Sequence, residues 1–112
     1  MRNEEFRTSL NVEEAYDLLS IHMGKRIVHK DTRILESGQT ILTLLLEKYY
    51  LRALSSISCL VIIDDLESLT HIKSITTKSS ILSFISFNFG AAKHFLKSIS
   101  KPFEPYKFYR ID

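Results

Sequence analysis

The chain has 112 residues, 45% of them hydrophobic and 25% charged, and a formal charge of +2. That length predicts one domain, burying roughly two-thirds of the surface its unfolded form exposes, and the composition excludes a wholly disordered polymer. The charge is too small to imply a nucleic-acid partner by itself.

In chain order, Phe6, Thr8 and Leu10 alternate with Arg7 and Ser9, which predicts a short first strand. Asn11 stands three residues before Glu14, the spacing at which each side chain reaches the other residue's backbone N–H. Val12, Ala15, Tyr16, Leu19 and Met23 then recur at helical spacing, so a helix is expected over 12–23. Gly24 is expected to end it in the left-handed conformation. A strand over 25–35, a hairpin at ESGQ (36–39) and strands over 40–52, 57–63 and 69–77 follow. ILSFISF (81–87) reads as a last short strand, and Asn88 as the cap of a helix carrying Phe89, Ala92, Leu96 and Ile99 on one face. Pro102 ends that helix. The tail over 101–112 holds two prolines and four aromatic rings, too apolar for a free linker, and is expected to pack on the body.

The most apolar stretch, ILTLLLEKYYLRALSSISCLVIID (41–64), is long enough to raise the question of a membrane anchor. A spanning helix needs about 20 mostly apolar residues. Glu47, Lys48 and Arg52 interrupt the run, and ionisable groups are costly in hydrocarbon. The flanking pieces are rich in Ile, Val, Tyr and Thr, which suits extended chain. Two buried strands are expected, with no membrane span. The polar, acidic start, MRNEEFRTSLNVEE, lacks the basic-then-apolar order of a secretory signal, so the expected location is cytoplasmic. Cys59, the single cysteine, sits in SCLVII and reads as a small buried hydrophobe.

Strands joined by short connections form an antiparallel meander, and an apolar sheet face needs helices against it. The expected architecture is therefore a single α+β domain, a two-layer sandwich of about five or six strands and two helices. Its element order looks like that of the TATA-binding-protein fold. A helix-covered sheet should alternate apolar with polar residues, yet here both faces of the central strands are apolar. Leu42, Leu44 and Leu46 oppose Ile41, Thr43 and Leu45, while Cys59, Val61 and Ile63 oppose Leu60 and Ile62. Something beyond two helices must cover the surplus: the aromatic tail or a second subunit. Covering ~600 Å² of apolar area corresponds to roughly 15 kcal/mol of gross transfer free energy before ordering costs. A homodimer is expected, with Ile41, Leu42, Leu44, Leu46, Leu60 and Ile62 as candidate interface residues.

LEKYYLRALSSISCLVI (46–62) and FNFGAAKHFLKSI (87–99), together with LNVEEAYDLL (10–19), resemble a family of small uncharacterised proteins, a domain of unknown function seen mainly in Firmicutes bacteria. The resemblance implies a small single-domain bacterial protein and brings no activity, cofactor or partner. Chains it resembles carry several glycines ahead of the FNFGA segment; this one has Thr76-Thr77-Lys78-Ser79-Ser80. A glycine-dependent phosphate cradle is therefore in doubt here.

Catalytic and cofactor signatures are absent: the sequence has no GxGxxG, no GxxxxGK[ST] and no GxSxG. Asp64, Asp65 and Glu67 lack calcium-loop spacing and read as a solvated turn; His22, His29, His71 and His94 lack zinc-site spacing. No metal and no cofactor are expected. Glu47 shares a side with Leu45 and Tyr49; a tight connection would place residue 47 near 62 and residue 50 near 59. In that position Glu47 would need Arg52, Tyr49 or a hydroxyl as partner, or could serve as an acid or base. Glu47, Tyr49, Tyr50 and Arg52 are therefore watched together. Three functions stay open. The first is a non-enzymatic interaction domain that self-associates through its sheet. The second is a carrier of a small apolar ligand in a cavity lined by Phe84, Phe87, Phe89 and Phe95. The third, less favoured, is single-strand nucleic-acid binding by a tail that mixes Lys101, Lys107 and Arg110 with Phe103, Tyr106, Phe108 and Tyr109.

Overall fold

The computed structural model describes residues 2–50, 55–76 and 85–111, with side chains within 3–49, 56–76 and 92–107. In chain order the elements are β1 (Arg2–Thr8), α1 (Val12–Met23), β2 (Ile27–Ile34), β3 (Thr40–Tyr50), β4 (Ser55–Asp64), β5 (Thr70–Thr76), α2 (Ile85–Ser100) and β6 (Lys107–Ile111). Short 3₁₀ turns at Gly24–Arg26 and Lys101–Tyr106 follow the two helices. The strands form one sheet in the order β2-β3-β4-β5-β1-β6, every neighbouring pair antiparallel. This is the expected α+β, two-layer arrangement. No helix among the described residues is long and apolar enough to cross a membrane.

The capping box forms as its spacing predicts. Asn11 Oδ1 accepts from the Glu14 N–H at 2.8 Å, and Glu14 Oε1 accepts from the Asn11 N–H at 3.0 Å. These bonds satisfy two donors at the helix start that have no intrahelical partner. β1 ends two residues earlier than expected. The Thr8 hydroxyl accepts from the Leu10 N–H at 3.3 Å, turning the chain toward the cap. At the other end, Gly24 is right-handed (φ −55°, ψ −35°), not left-handed as expected. Its N–H bonds to the Ser20 carbonyl, and the chain tightens into the 3₁₀ turn instead of reversing. The positive φ belongs to Gly38 (φ 89°), in the β2–β3 hairpin. There the Leu35 N–H donates to the Gln39 carbonyl at 2.8 Å, and the Gly38 N–H to that of Leu35 at 2.9 Å.

Residues 85–87, expected in a strand, form the first turn of α2; 81–84 lie outside the described residues. Asn88 accordingly lies within the helix and does not cap it. The sixth strand comes from the tail: β6 pairs with β1, placing Glu5 opposite Ile111 and Phe6 opposite Arg110.

Register sorts the central strands. Leu42, Leu44 and Leu46 pair with Ile63, Val61 and Cys59, and all six are buried beneath the helices with Ala15, Leu19, Phe95 and Ile99. Phe103, in the turn after α2, is fully buried, its ring centroid 5.4 Å from that of Phe6. The tail therefore adds a ring to the core and a strand to the sheet edge.

Candidate functional site

The second face of the sheet is where the surplus apolar surface lies. Period-two alternation puts Ile41 and Leu45 of β3, Leu60 and Ile62 of β4, and Ile75 of β5 on the side away from the helices. All five are partly exposed. They form an apolar stripe across three central strands. Neither helix lies on this face, and β6 joins the sheet beyond β1, at the far edge from β3. Of the expected interface residues, Ile41, Leu60 and Ile62 are on this stripe. Leu42, Leu44 and Leu46 are corrected: at 0–3% exposure they are core residues under the helices.

A polar cluster borders the stripe. His71 Nε2 lies 2.8 Å from Glu5 Oε2, and its Nδ1 3.5 Å from Asp64 Oδ2. Lys73 Nζ is 3.9 Å from Glu5 Oε1, and Arg7 pairs with Glu67. Sequence reading missed this cluster because its members come from β1, β4, β5 and a turn. Only the β1–β5 pairing, 66 residues apart in sequence, brings Glu5 to His71. The acidic turn is structural: Asp65 Oδ1 accepts from the Thr40 N–H at 2.7 Å, and Asp64 Oδ1 from the Leu66 N–H at 3.2 Å. Among the described residues no group of His, Cys, Asp and Glu is placed to hold a metal ion.

Glu47 lies opposite Ser58, and Tyr50 opposite Ser55, not opposite residues 62 and 59. The partner on β4 comes four residues earlier than expected and β3 ends at Tyr50, so Glu47 lies near the sheet's end and is exposed. Tyr49 is 54% exposed beside it. The Tyr50 side chain and Arg52 lie outside the described residues. So do the side chains of Phe84, Phe87 and Phe89; Phe95, the remaining candidate for a ligand cavity, is core. A groove of about 250 Å³ lies elsewhere, between α1 and the β2–β3 edge, lined by Val12, Glu13, Tyr16, Lys30, Thr32, Thr40 and Leu42. The Lys30 ammonium sits 3.9 Å from the Tyr16 ring centroid at its rim. In the tail, Phe103 is buried, and Lys107 faces Glu104 at 3.1 Å and the Phe6 ring at 4.7 Å. These groups are thereby engaged within the fold, and Phe103 has no face left for a base. Cys59 is fully buried, and burial pushes its thiol up to about 12, although a backbone hydrogen bond from Ile75 acts in the opposite direction. A thiol held neutral is inert.

Comparison with family models matches residues 1–107 to a family of unknown function, DUF6054, and the chain belongs to it. No curated protein and no solved structure matches the chain.

Proposed function

For this member of a family without an assigned activity, we propose a non-enzymatic interaction domain that self-associates through the outer face of its sheet. The observation that carries the reading is the apolar stripe of Ile41, Leu45, Leu60, Ile62 and Ile75, which no element of the chain covers among the described residues. Half-buried apolar side chains on a sheet face stabilise the lone chain only in part, whereas a second sheet stacked about 10 Å away removes the rest of their surface from water. Polar residues on either side, Asp31 and Arg33 of β2 and the His71 cluster of β1 and β5, give the stripe the apolar centre and polar rim of an interface. A second copy is the occupant proposed, since one stripe matches its own twin in chemistry. A bacterial, cytoplasmic setting belongs to the same proposal.

Sedimentation at micromolar concentration tests it. The wild-type chain should run as an oligomer, and Leu60→Glu or Ile62→Glu should lower its mass while leaving the circular dichroism spectrum unchanged. A wild-type monomer, or a variant with undiminished mass, removes the reading.

A further inference from the structure

A second surface is independent of the outer face. Among the described residues β2 ends the sheet and pairs only with β3, so the backbone groups of its other side meet no ladder there. Apolar side chains are exposed along it: Ile34 at 73% and Val28 at 56%. Charged residues normally guard such an edge, and β2 carries Lys30, Asp31 and Arg33. The guard works only if pairing sets like charges against each other.

We infer that β2 pairs antiparallel with β2 of a second copy, centred on Thr32, joining two sheets into one. The register follows from charge and face. Partners in a ladder point to the same side, so a two-fold axis that keeps both helix layers on one side must pass through a residue. Centred on Lys30, Asp31 or Arg33, that axis sets a charge against its own copy. Centred on Thr32, it sets Asp31 opposite Arg33 of the second copy, and Arg33 opposite its Asp31. Within one chain these two already lie 3.3 Å apart, and both are on the outer face, beside Thr43 and Ile41. The four charges would then alternate in sign around the axis.

The helix side of the same register is also complementary. Lys30, Thr32 and Ile34 point toward the α1 layer, beside Leu44, Leu42 and Thr40. Pairing places Ile34 of the second copy directly opposite Lys30. That puts it at the rim of the groove between α1 and β2, whose lining includes Val12, Tyr16 and Leu42. The most exposed apolar residue of the edge strand thus gains a partly apolar seat, and each copy supplies one to the other.

Crosslinking reads the register directly. Because Cys59 is buried, a cysteine introduced on β2 is the reactive thiol on this surface. Directly opposed Cβ atoms in a ladder lie about 4.5–5.5 Å apart, close enough for a disulfide after small adjustment. Oxidised Thr32→Cys should therefore run as a covalent dimer. Lys30→Cys should not, because residue 30 of each copy is displaced from the other by about 14 Å along the strands. Arg33→Asp should weaken association of the 112-residue chain by about tenfold in sedimentation, and the swap Asp31→Arg with Arg33→Asp should restore it. The Thr32→Cys crosslink should persist in a Leu60→Glu background, which separates this surface from the outer face. A folded Thr32→Cys chain that stays monomeric on oxidation, or equal crosslinking at residue 30, overturns the inference.

Discussion

Leu44 and Leu45 are neighbours in sequence and lie on opposite sides of β3. Leu44 is fully buried, opposite Val61 and beneath the helix layer, while Leu45 lies opposite Leu60 on the outer face. Truncating each to alanine therefore removes the same atoms from two different environments. For Leu44→Ala the lost transfer free energy and the cavity left behind together cost about 3–4 kcal/mol, since a site walled by strands on both sides cannot collapse. With roughly 4–6 °C lost per kcal/mol for a domain of this size, its Tm should fall by ~12–24 °C. Leu45→Ala should cost the lone chain under about 1.5 kcal/mol, because part of its surface is wet already. Calorimetry over a range of protein concentrations separates the two. The Leu44→Ala deficit should persist at every concentration, whereas Leu45→Ala should flatten the rise of Tm with concentration that an associating wild-type chain shows. Equal, concentration-independent losses at both positions would refute the sorting of β3 into a core side and an interface side.

Alkaline pH tests the burial of Cys59. Its thiol stays protonated in the fold up to about 12, while the unfolded chain ionises near 9.0. Its contribution is therefore fully present below pH 9 and is lost as pH rises, at about 1.4 kcal/mol per pH unit. Denaturant titrations of wild type and Cys59→Ala between pH 8 and 11 should converge with that slope, and the native thiol should resist a disulfide reagent that modifies the unfolded chain. Asn11→Ala removes the Asn11 half of the capping box and should lower stability by about 1 kcal/mol in urea unfolding, with little change in m. Gly24 and Gly38 should respond with opposite signs. Gly24→Ala, right-handed with only Ser20 Oγ at 3.5 Å from the new methyl group, should stabilise by about 0.4–1 kcal/mol in thermal melts. Gly38→Ala should destabilise by about 1 kcal/mol, because alanine is strained at φ 89°.

Local chemistry settled what lies close along the chain. Helix α1 was legible from Asn11 to Met23 because its cap and stripe need no distant partner, and the strands were legible because charges at Glu47, Lys48 and Arg52 forbid the spanning alternative. The excess of apolar surface over what two helices shield was also legible, since alternation counts both faces of a strand. Which face is which was not. Leu42 and Ile41 are equally apolar, and only the helix layer decides that the first is core and the second is open. Long-range pairing decided the rest. The β3–β4 register placed Glu47 against Ser58, and the return of β5 and β6 to either side of β1 gathered Glu5, Asp64 and His71 and sent the aromatic tail to an edge. Periodicity carries the side on which a residue points. Its neighbours across a ladder depend on loop length and strand order, which the tertiary fold supplies.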